Sequence, residues 1–362
     1  MQSFATGEAA ERWLRLLDAV GPAQAVAALE QPEASTAPTV GELVFAHIEH
    51  LTGITEGTRQ DYNRMAARHI VPHVGALPVT MLDRQAGARW LNALTRTGMA
   101  ASTIRNHHSL LSAALTQAVW DKEIPENVVK GLRMPSTLTT QEMVFLTRDE
   151  YMHLRECAPE RWRPLVTVLA ETGMRWGEAT ALTISDLDFD RRTVRIRQAW
   201  KRSGKAQPDL GVTKGRQSRT VAMPKRARDD LRELSGRAPR EFLFINSKGG
   251  PVRHSPFRLN VWVPTVATFA GDKPTGRHPT TRRMMWDGQG TGERPRIHDL
   301  RHSFASWAIA RGMSLTSIQR HMGHQSIKTT SDTYGHIFRA DLDQFAEIVP
   351  DIVEGDLLTL DP

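Results

Sequence analysis

The chain has 362 residues, 40% of them hydrophobic, with 47 Lys and Arg against 40 Asp and Glu for a formal net charge of +7. That length suggests two or three domains, and that composition supplies a real core, so wholesale disorder is excluded. No run approaches the ~18 apolar residues of a membrane span, the first residues lack a signal-peptide pattern, and the lone Cys157 excludes an internal disulfide or a cysteine-based zinc cluster and fits a reducing compartment.

Charge is unevenly spread along the chain. Residues 1–60 carry 3 basic and 8 acidic groups, residues 61–340 carry 44 and 25, and residues 341–362 carry 7 acidic groups and no basic one. A basic body between two acidic ends is the pattern of a polyanion-binding protein. The plainer alternative is a soluble basic protein with solvated faces.

In chain order, Trp13, Leu16, Leu17 and Val20 follow helical spacing within residues 9–20. Residues 31–38 read as a linker. Thr39 and Glu42 make a capping box ahead of an apolar helix. A second helix is expected from about Thr58 to His69, broken by the two prolines and the glycine of VPHVGALP. A third fits 83–95. A fourth runs from Ser102 to about Trp120 with a stripe at Ile104, Leu111, Leu115 and Val119. Residues 39–133 therefore read as a compact all-helical domain, and 134–146 as a second linker.

Thr147 and Glu150 form another capping box. Helices are expected at 148–157 and 161–172, and strands at 193–200 and 218–223, where apolar residues alternate. Residues 271–296, polar and rich in Gly, Pro and Arg, read as a long exposed loop. Helices resume at about 298–311, 314–322 and 340–348. The expected architecture is mainly α with a small β-sheet, an α+β catalytic domain following a helical one.

Four groups of residues could carry chemistry. In TGMRWGE a glycine turn delivers Arg175 to a helix start, near free N–H groups suited to an oxyanion, with Glu178 placed to brace the guanidinium. In HDLRH, His298 and Arg301 share a helix face and suit a phosphodiester. In HMGHQSIKTTSDTY, a polar, Thr-rich stretch can carry Tyr334 back toward a site that includes His324. A free phenol has a pKa of about 10, so only about 0.1% is ionised at pH 7. It becomes a nucleophile only beside a base or a strong positive field. In TKGR, Lys214 is a turn lysine suited to clamp a phosphate or donate a proton. Taken singly, each group also reads as ordinary structure: a surface ion pair, a polar helix start, a half-buried aromatic, a solvated turn.

Together, in this order and at these spacings, TGMRWGE, TKG, HDLRH and MGHQSIKTTSDTY resemble the tyrosine recombinase (phage integrase) family. The resemblance covers roughly residues 39–349, and STIRNHHSLLSAALTQAVWDKEIPEN is similar to that family's helical core-binding domain. It implies residues 1–38 as an N-terminal helix and linker, 39–133 as a DNA-binding core-binding domain, 147–349 as the catalytic domain and 350–362 as an acidic tail. SFATGEAAERWL is similar to the closing helix of an arm-binding domain whose strands are missing, so no functional arm-binding domain is expected.

The resemblance implies site-specific cutting and rejoining of double-stranded DNA at attachment sites through a 3′-phosphotyrosyl intermediate. Tyr334 would be the nucleophile. Arg175 and Arg301 would hold the phosphate oxygens, and His324 would add a hydrogen bond. Lys214 would protonate the leaving 5′ oxygen, His298 would act as general base, and Glu178 would support the site. Neither ATP nor a metal is implied, and no GxxxxGK[ST] loop is present; GQGTG at 288–292 lacks the lysine. Implied partners are attachment-site DNA, three further copies in a tetrameric synapse, a host DNA-bending factor and an excisionase, in the bacterial cytoplasm with no membrane. Residues 338–348 place Phe338, Leu342, Phe345 and Ile348 on one helical face, suited either to the chain's own core or to a neighbouring protomer.

Three other functions compete. Four histidines, 298, 302, 321 and 324, have helical metal-ligand spacing and could bind zinc. A DNA-binding regulator could share the fold without the chemistry. A type IB topoisomerase or a Xer-like resolvase would share the chemistry with another outcome.

Overall fold

The computed structural model describes Leu14, Leu17 and residues 37–135, 143–201, 209–212 and 218–335. They fall into two compact units, divided between residues 135 and 143. Among the described residues no helix is long and apolar enough to cross a membrane.

The first unit is all helical. Helix α1 (Val40–His50) starts at the Thr39 capping box, with Glu42 Oε2 accepting from the Thr39 N–H at 2.8 Å. Helix α2 (Glu56–Met65) runs directly into a π-helical stretch at Ala66–Gly75. Here the structure departs from expectation: Pro72 lies inside the winding and does not end it. Pro cannot donate to the i→i−4 ladder and clashes with the carbonyl one turn back, and the wider winding relieves both problems. Helix α3 (Arg84–Arg96) is capped by Asp83 and helix α4 spans Ala101–Trp120. Val44, Ile48, Ile70, Trp90, Leu111 and Leu115 are buried in one apolar core. Of the segment 9–20, Leu17 packs against this core and Leu14 is exposed; the rest lies outside the described residues.

The second unit wraps helices around short sheets. Helix α5 (Arg148–Cys157) begins at the Thr147 capping box, helix α6 spans Arg163–Thr172, and the four-residue α7 spans Trp176–Ala179. Strands β1 (Leu187–Asp188), β2 (Thr193–Ile196) and β5 (Arg219–Ala222) form one antiparallel sheet in the order β1-β2-β5, with Val194 opposite Val221. Strands β3 (Gln198–Lys201) and β4 (Asp209–Val212) form a separate pair. The single strand expected at 193–200 is thus two, parted at Arg197, whose guanidinium is drawn off to Thr183 and Ser185 at 3.0 and 3.1 Å. Leu146, in the stretch read as linker, is buried here, its carbonyl accepting from Trp307 Nε1 at 2.7 Å.

After helix α8 (Lys225–Leu234) come the short α9 (His254–Phe257), a π-helical turn at Arg258–Trp262, and α10 (Val263–Phe269). The long loop expected at 271–296 contains a hairpin, β6 (Pro274–Arg277) paired with β7 (Met284–Trp286). Its strands bury no face in the core, so no apolar alternation announces them. Helices α11 (Asp299–Ile309), α12 (Leu315–Met322) and α13 (Ile327–Tyr334) complete the unit. Helix α13 occupies the stretch read as a polar connector; Ser326 caps it by accepting from the Lys328 N–H at 3.2 Å. The helix expected at 340–348 lies outside the described residues.

Candidate active site

Five segments of the second unit meet around Arg175: the α6–α7 turn, β5, the start of α11, the α12–α13 junction and the end of α13. Helix α6 ends at Gly173, whose φ of +61° is left-handed and whose α-carbon leaves no room for a Cβ: one would stand 2.6 Å from the Phe304 ring. This turn delivers Arg175 to the N-terminus of α7, as the sequence suggested. Arg175 Nη1 donates to Glu178 Oε1 at 3.0 Å, and Nη2 donates to the Gly323 carbonyl at 3.0 Å. Its side chain keeps 31% of its surface open to solvent.

Glu178 is only 2% exposed. A residue not foreseen from sequence, Arg219 on β5, meets it with a two-pronged pair at 2.9 and 2.7 Å and donates to the His321 carbonyl at 2.8 Å. Burial pushes the Glu178 pKa up, but Arg219 and Arg175 outweigh it and hold the carboxyl at about 2. Glu178 is therefore a buried anion that binds two arginines side by side. The available signal for Arg219 was its phase: it shares the strand face of Val221, which is buried.

Arg301 is also buried, at 2% exposure. Its Nη2 donates to the Met322 carbonyl at 2.7 Å and its Nη1 to the Gly173 carbonyl. Met322 O accepts from Arg175 as well, at 3.4 Å, so the two guanidinium groups share an acceptor. Burial and then Arg175 lower the Arg301 pKa to about 9, which leaves it a cation at neutral pH. Gly323 closes α12 with a φ of +66°, and a Cβ there would meet the Arg219 guanidinium at 3.0 Å. The MGH sequence is what allows this backbone to pass so close to the arginines.

His324 Nδ1 lies 2.8 Å from Thr330 Oγ1 on α13. Burial, followed by Arg301 and Arg175, lowers its pKa to about 4. His298 precedes α11; packing around the ring, then His302 and Arg301, lower it to about 4 too. Both imidazoles are neutral at pH 7 and retain the capacity to take a proton.

Tyr334 closes α13 and is 1% exposed. Its phenolic oxygen is 2.8 Å from His302 Nδ1, and His302 in turn packs edge-on against His298, ring centres 4.9 Å apart. The residue at the phenol is thus His302, where the sequence reading placed His298. His302 lies one turn on from His298 along α11, about 100° round the helix from Arg301, and only the fold shows that Tyr334 comes to it. Burial raises the Tyr334 pKa to about 12 against the pull of Arg301. Lys214 lies outside the described residues.

The four histidines do not form a ligand set. His302 faces Tyr334, His321 Nε2 faces the Thr172 carbonyl at 3.0 Å, and His324 faces Thr330. Among the described residues no group of three or more His, Cys, Asp or Glu side chains is arranged to hold a metal ion. What the cluster does offer is concentrated positive charge, neutral imidazoles and one phenol, a set suited to a phosphate diester and a covalent exchange.

Comparison with known proteins agrees with that chemistry: the phage integrase family matches residues 141–340. The chain belongs to the phage integrase family. It is a phage-type tyrosine recombinase, an enzyme of site-specific recombination. It is 26% identical to two integrases, that of Mycobacterium phage L5 (286 residues, 75% of this chain and 68% of that one) and the ICEBs1 integrase of Bacillus subtilis (267 residues, 72% and 68%). It is 25% identical to the tyrosine recombinase XerC of Xylella fastidiosa over 311 residues, 81% of this chain and 90% of that one. Its fold is similar to the Tn1549 transposon integrase in complex with transposon right end DNA, with a TM-score of 0.71 at 19% identity over 85% of this chain and 99% of that chain. Lambda integrase bound to a core site follows, with a TM-score of 0.57 at 18% identity over 82% of this chain and 77% of that one.

Proposed function

We propose that this recombinase cuts and rejoins duplex DNA at attachment sites through a 3′-phosphotyrosyl intermediate on Tyr334, integrating and excising a mobile element. The observation that carries this reading is the phenol of Tyr334 held at His302, one residue from Arg301 and in the field of its guanidinium. Tyr334 Oη attacks the scissile phosphorus and the bond to the 5′ oxygen breaks. The phenol's proton passes to the His302–His298 pair, and Lys214 supplies a proton to the departing 5′ oxygen. Arg175, the more open of the two guanidinium groups, grips the non-bridging oxygens. Arg301 adds charge from beneath, and His324 adds a hydrogen bond. Rejoining reverses the step: a 5′ hydroxyl attacks the phosphotyrosine, so the bond energy is kept without ATP.

The buried position of Tyr334 describes a resting arrangement. A phenol of pKa about 12 is ionised to roughly one part in 10⁵ at pH 7, and DNA must draw α13 out of its packing before attack. The partners we infer are attachment-site DNA, further copies of this chain in a tetrameric synapse, and a host DNA-bending factor and excisionase that set direction, all inside the cell. DNA-bound neighbours of the same fold support the first of these. Residues 338–348, with Phe338, Leu342, Phe345 and Ile348 at helical spacing, would dock on a neighbouring protomer.

The test uses nicked duplexes from DNA flanking the gene, incubated with wild type or Tyr334→Phe in EDTA. A covalent protein–DNA adduct resistant to SDS is expected from the wild type alone. An adduct from both proteins, or one abolished by EDTA, would refute the assignment.

A further inference from the structure

The β6–β7 hairpin has no task in the catalytic cluster. Between Lys273 and Trp286 it carries Lys273, Arg277, Arg282 and Arg283 and no acidic residue. Residues 273–283 are exposed throughout, and among the described residues Arg277, Arg282 and Arg283 form no ion pair. A polar hairpin whose residues 273–283 are all exposed has no apolar reason to be ordered at its tip. Its base is nonetheless built. Asp272 is buried and takes both prongs of Arg294, at 2.7 and 2.8 Å, and the Gly290 N–H at 2.9 Å. Asp287 Oδ1 accepts from the Lys273 and Gln289 N–H groups at 3.0 and 3.1 Å. At Gly290 the backbone passes so close to the Ala270 carbonyl that a Cβ would stand 2.1 Å from it.

These contacts consume the carboxylates at the base and leave the projecting part purely cationic. At the turn Arg282 takes a φ of +57°, a conformation that glycine adopts without strain and arginine does not. Arg283 Nε reaches Asn260 Oδ1 at 3.2 Å, which lays β7 beside the turn carrying the exposed Arg258. The chain leaves the hairpin at Trp286, and Arg294, which holds the hairpin's base through Asp272, lies four residues before His298, within about 14 Å even if fully extended.

We propose that the β6–β7 hairpin is a DNA-binding arm that grips the duplex phosphate backbone beside the cleavage point. The inference rests on the recombinase reading for its location, though not for its charge logic. A two-stranded ribbon is narrow enough for the major groove of B-DNA, and exposed guanidinium groups that pair with no carboxylate suit phosphate oxygens, although Arg277 also donates to the Arg282 carbonyl at 3.1 Å. An acidic protein surface would be the other polyanion, but the steady partner of this enzyme class is duplex DNA, and phosphate contact needs no sequence match.

The experiment compares wild type with Arg277→Gln/Arg282→Gln/Arg283→Gln and with the triple Lys variant, all in the full chain. Binding to a short duplex of arbitrary sequence is measured against salt concentration. Each phosphate contact contributes about 0.9 to the slope of log K against log salt. The Gln variant is expected to lose about 2 to 3 from that slope and to bind roughly ten- to a hundredfold more weakly, and the Lys variant to retain the wild-type slope. An unchanged slope in the Gln variant, or an equal loss in the Lys variant, overturns the arm. Adduct formation on nicked DNA is followed in parallel. At saturating protein it is expected to stay within a few-fold of wild type in the Gln variant. Absence of an adduct even from the wild type would defeat the catalytic reading and leave the salt comparison to decide the arm separately.

Discussion

The two units of this protein solve burial in opposite ways. In the helical unit the described core is a set of aliphatic side chains around Trp90, and its buried polar residues are Thr39 and His107. In the catalytic unit the buried set includes Glu178, Asp186, Asp272, Asp299 and Arg301. A charge taken out of water costs several kcal/mol unless it is paired and hydrogen-bonded. In the catalytic unit that cost is offset by pairing, because a cation held in a fixed position needs a fixed anion behind it. Glu178 does this for Arg175 and Arg219 together. The lesson is that the buried carboxylate is the keystone of the cluster, with both its oxygens held by arginines.

Five expectations test that contrast, the largest effect first. Tyr334→Phe is expected to abolish the covalent adduct while leaving thermal stability nearly unchanged, since the ring stays buried and only the bond to His302 is lost; a melting temperature far below wild type would make Tyr334 structural. Glu178→Gln is expected to destabilise the protein by about 3–5 kcal/mol, because it strands two guanidinium groups without their counter-ion. Denaturant unfolding reads this, and a change below about 1 kcal/mol would erase the distinction between the units. In the helical unit the comparable loss should come from apolar truncation: Leu111→Ala is expected to cost about 2–5 kcal/mol, measured by the same unfolding curves.

A pH series sharpens the comparison further. His298 and His324 are held at about 4 in the folded chain against an ordinary value of about 6.5. Between those values the unfolded chain binds more protons than the folded one, so stability should fall as pH drops from about 6.5 toward 4. The double variant His298→Gln/His324→Gln should show a flatter profile over that window, and an identical profile would mean these rings do not titrate as the packing implies. The smallest effect should be shared by both units: Thr39→Ala and Thr147→Ala each remove a capping box and are expected to cost about 1 kcal/mol.

How much was readable before folding differs by kind of signal. Both capping boxes, the α4 stripe and the catalytic motifs depend on spacings of three or four residues, and such local patterns survive in a linear chain. Thr39, Thr147, Arg175 and Glu178 sit where those patterns place them. The π-helical passage through Pro72 did not announce itself, because a proline normally ends a helix and only packing of Ile70 and Val74 against the core keeps this one winding. The β6–β7 hairpin was silent for the opposite reason: exposed strands leave no apolar alternation to read.

By itself the sequence determined the family, the helical and mixed character of the two units, and the motifs that carry Arg175, Glu178, His298, Arg301, His324 and Tyr334, since each rests on short-range order along the chain. The tertiary structure alone decided which groups touch. Arg219 reaches Glu178 across 41 residues, and His302 rather than His298 reaches Tyr334 across 32. Such contacts are set by how elements pack and which side of a helix faces which neighbour, and no local spacing carries that information.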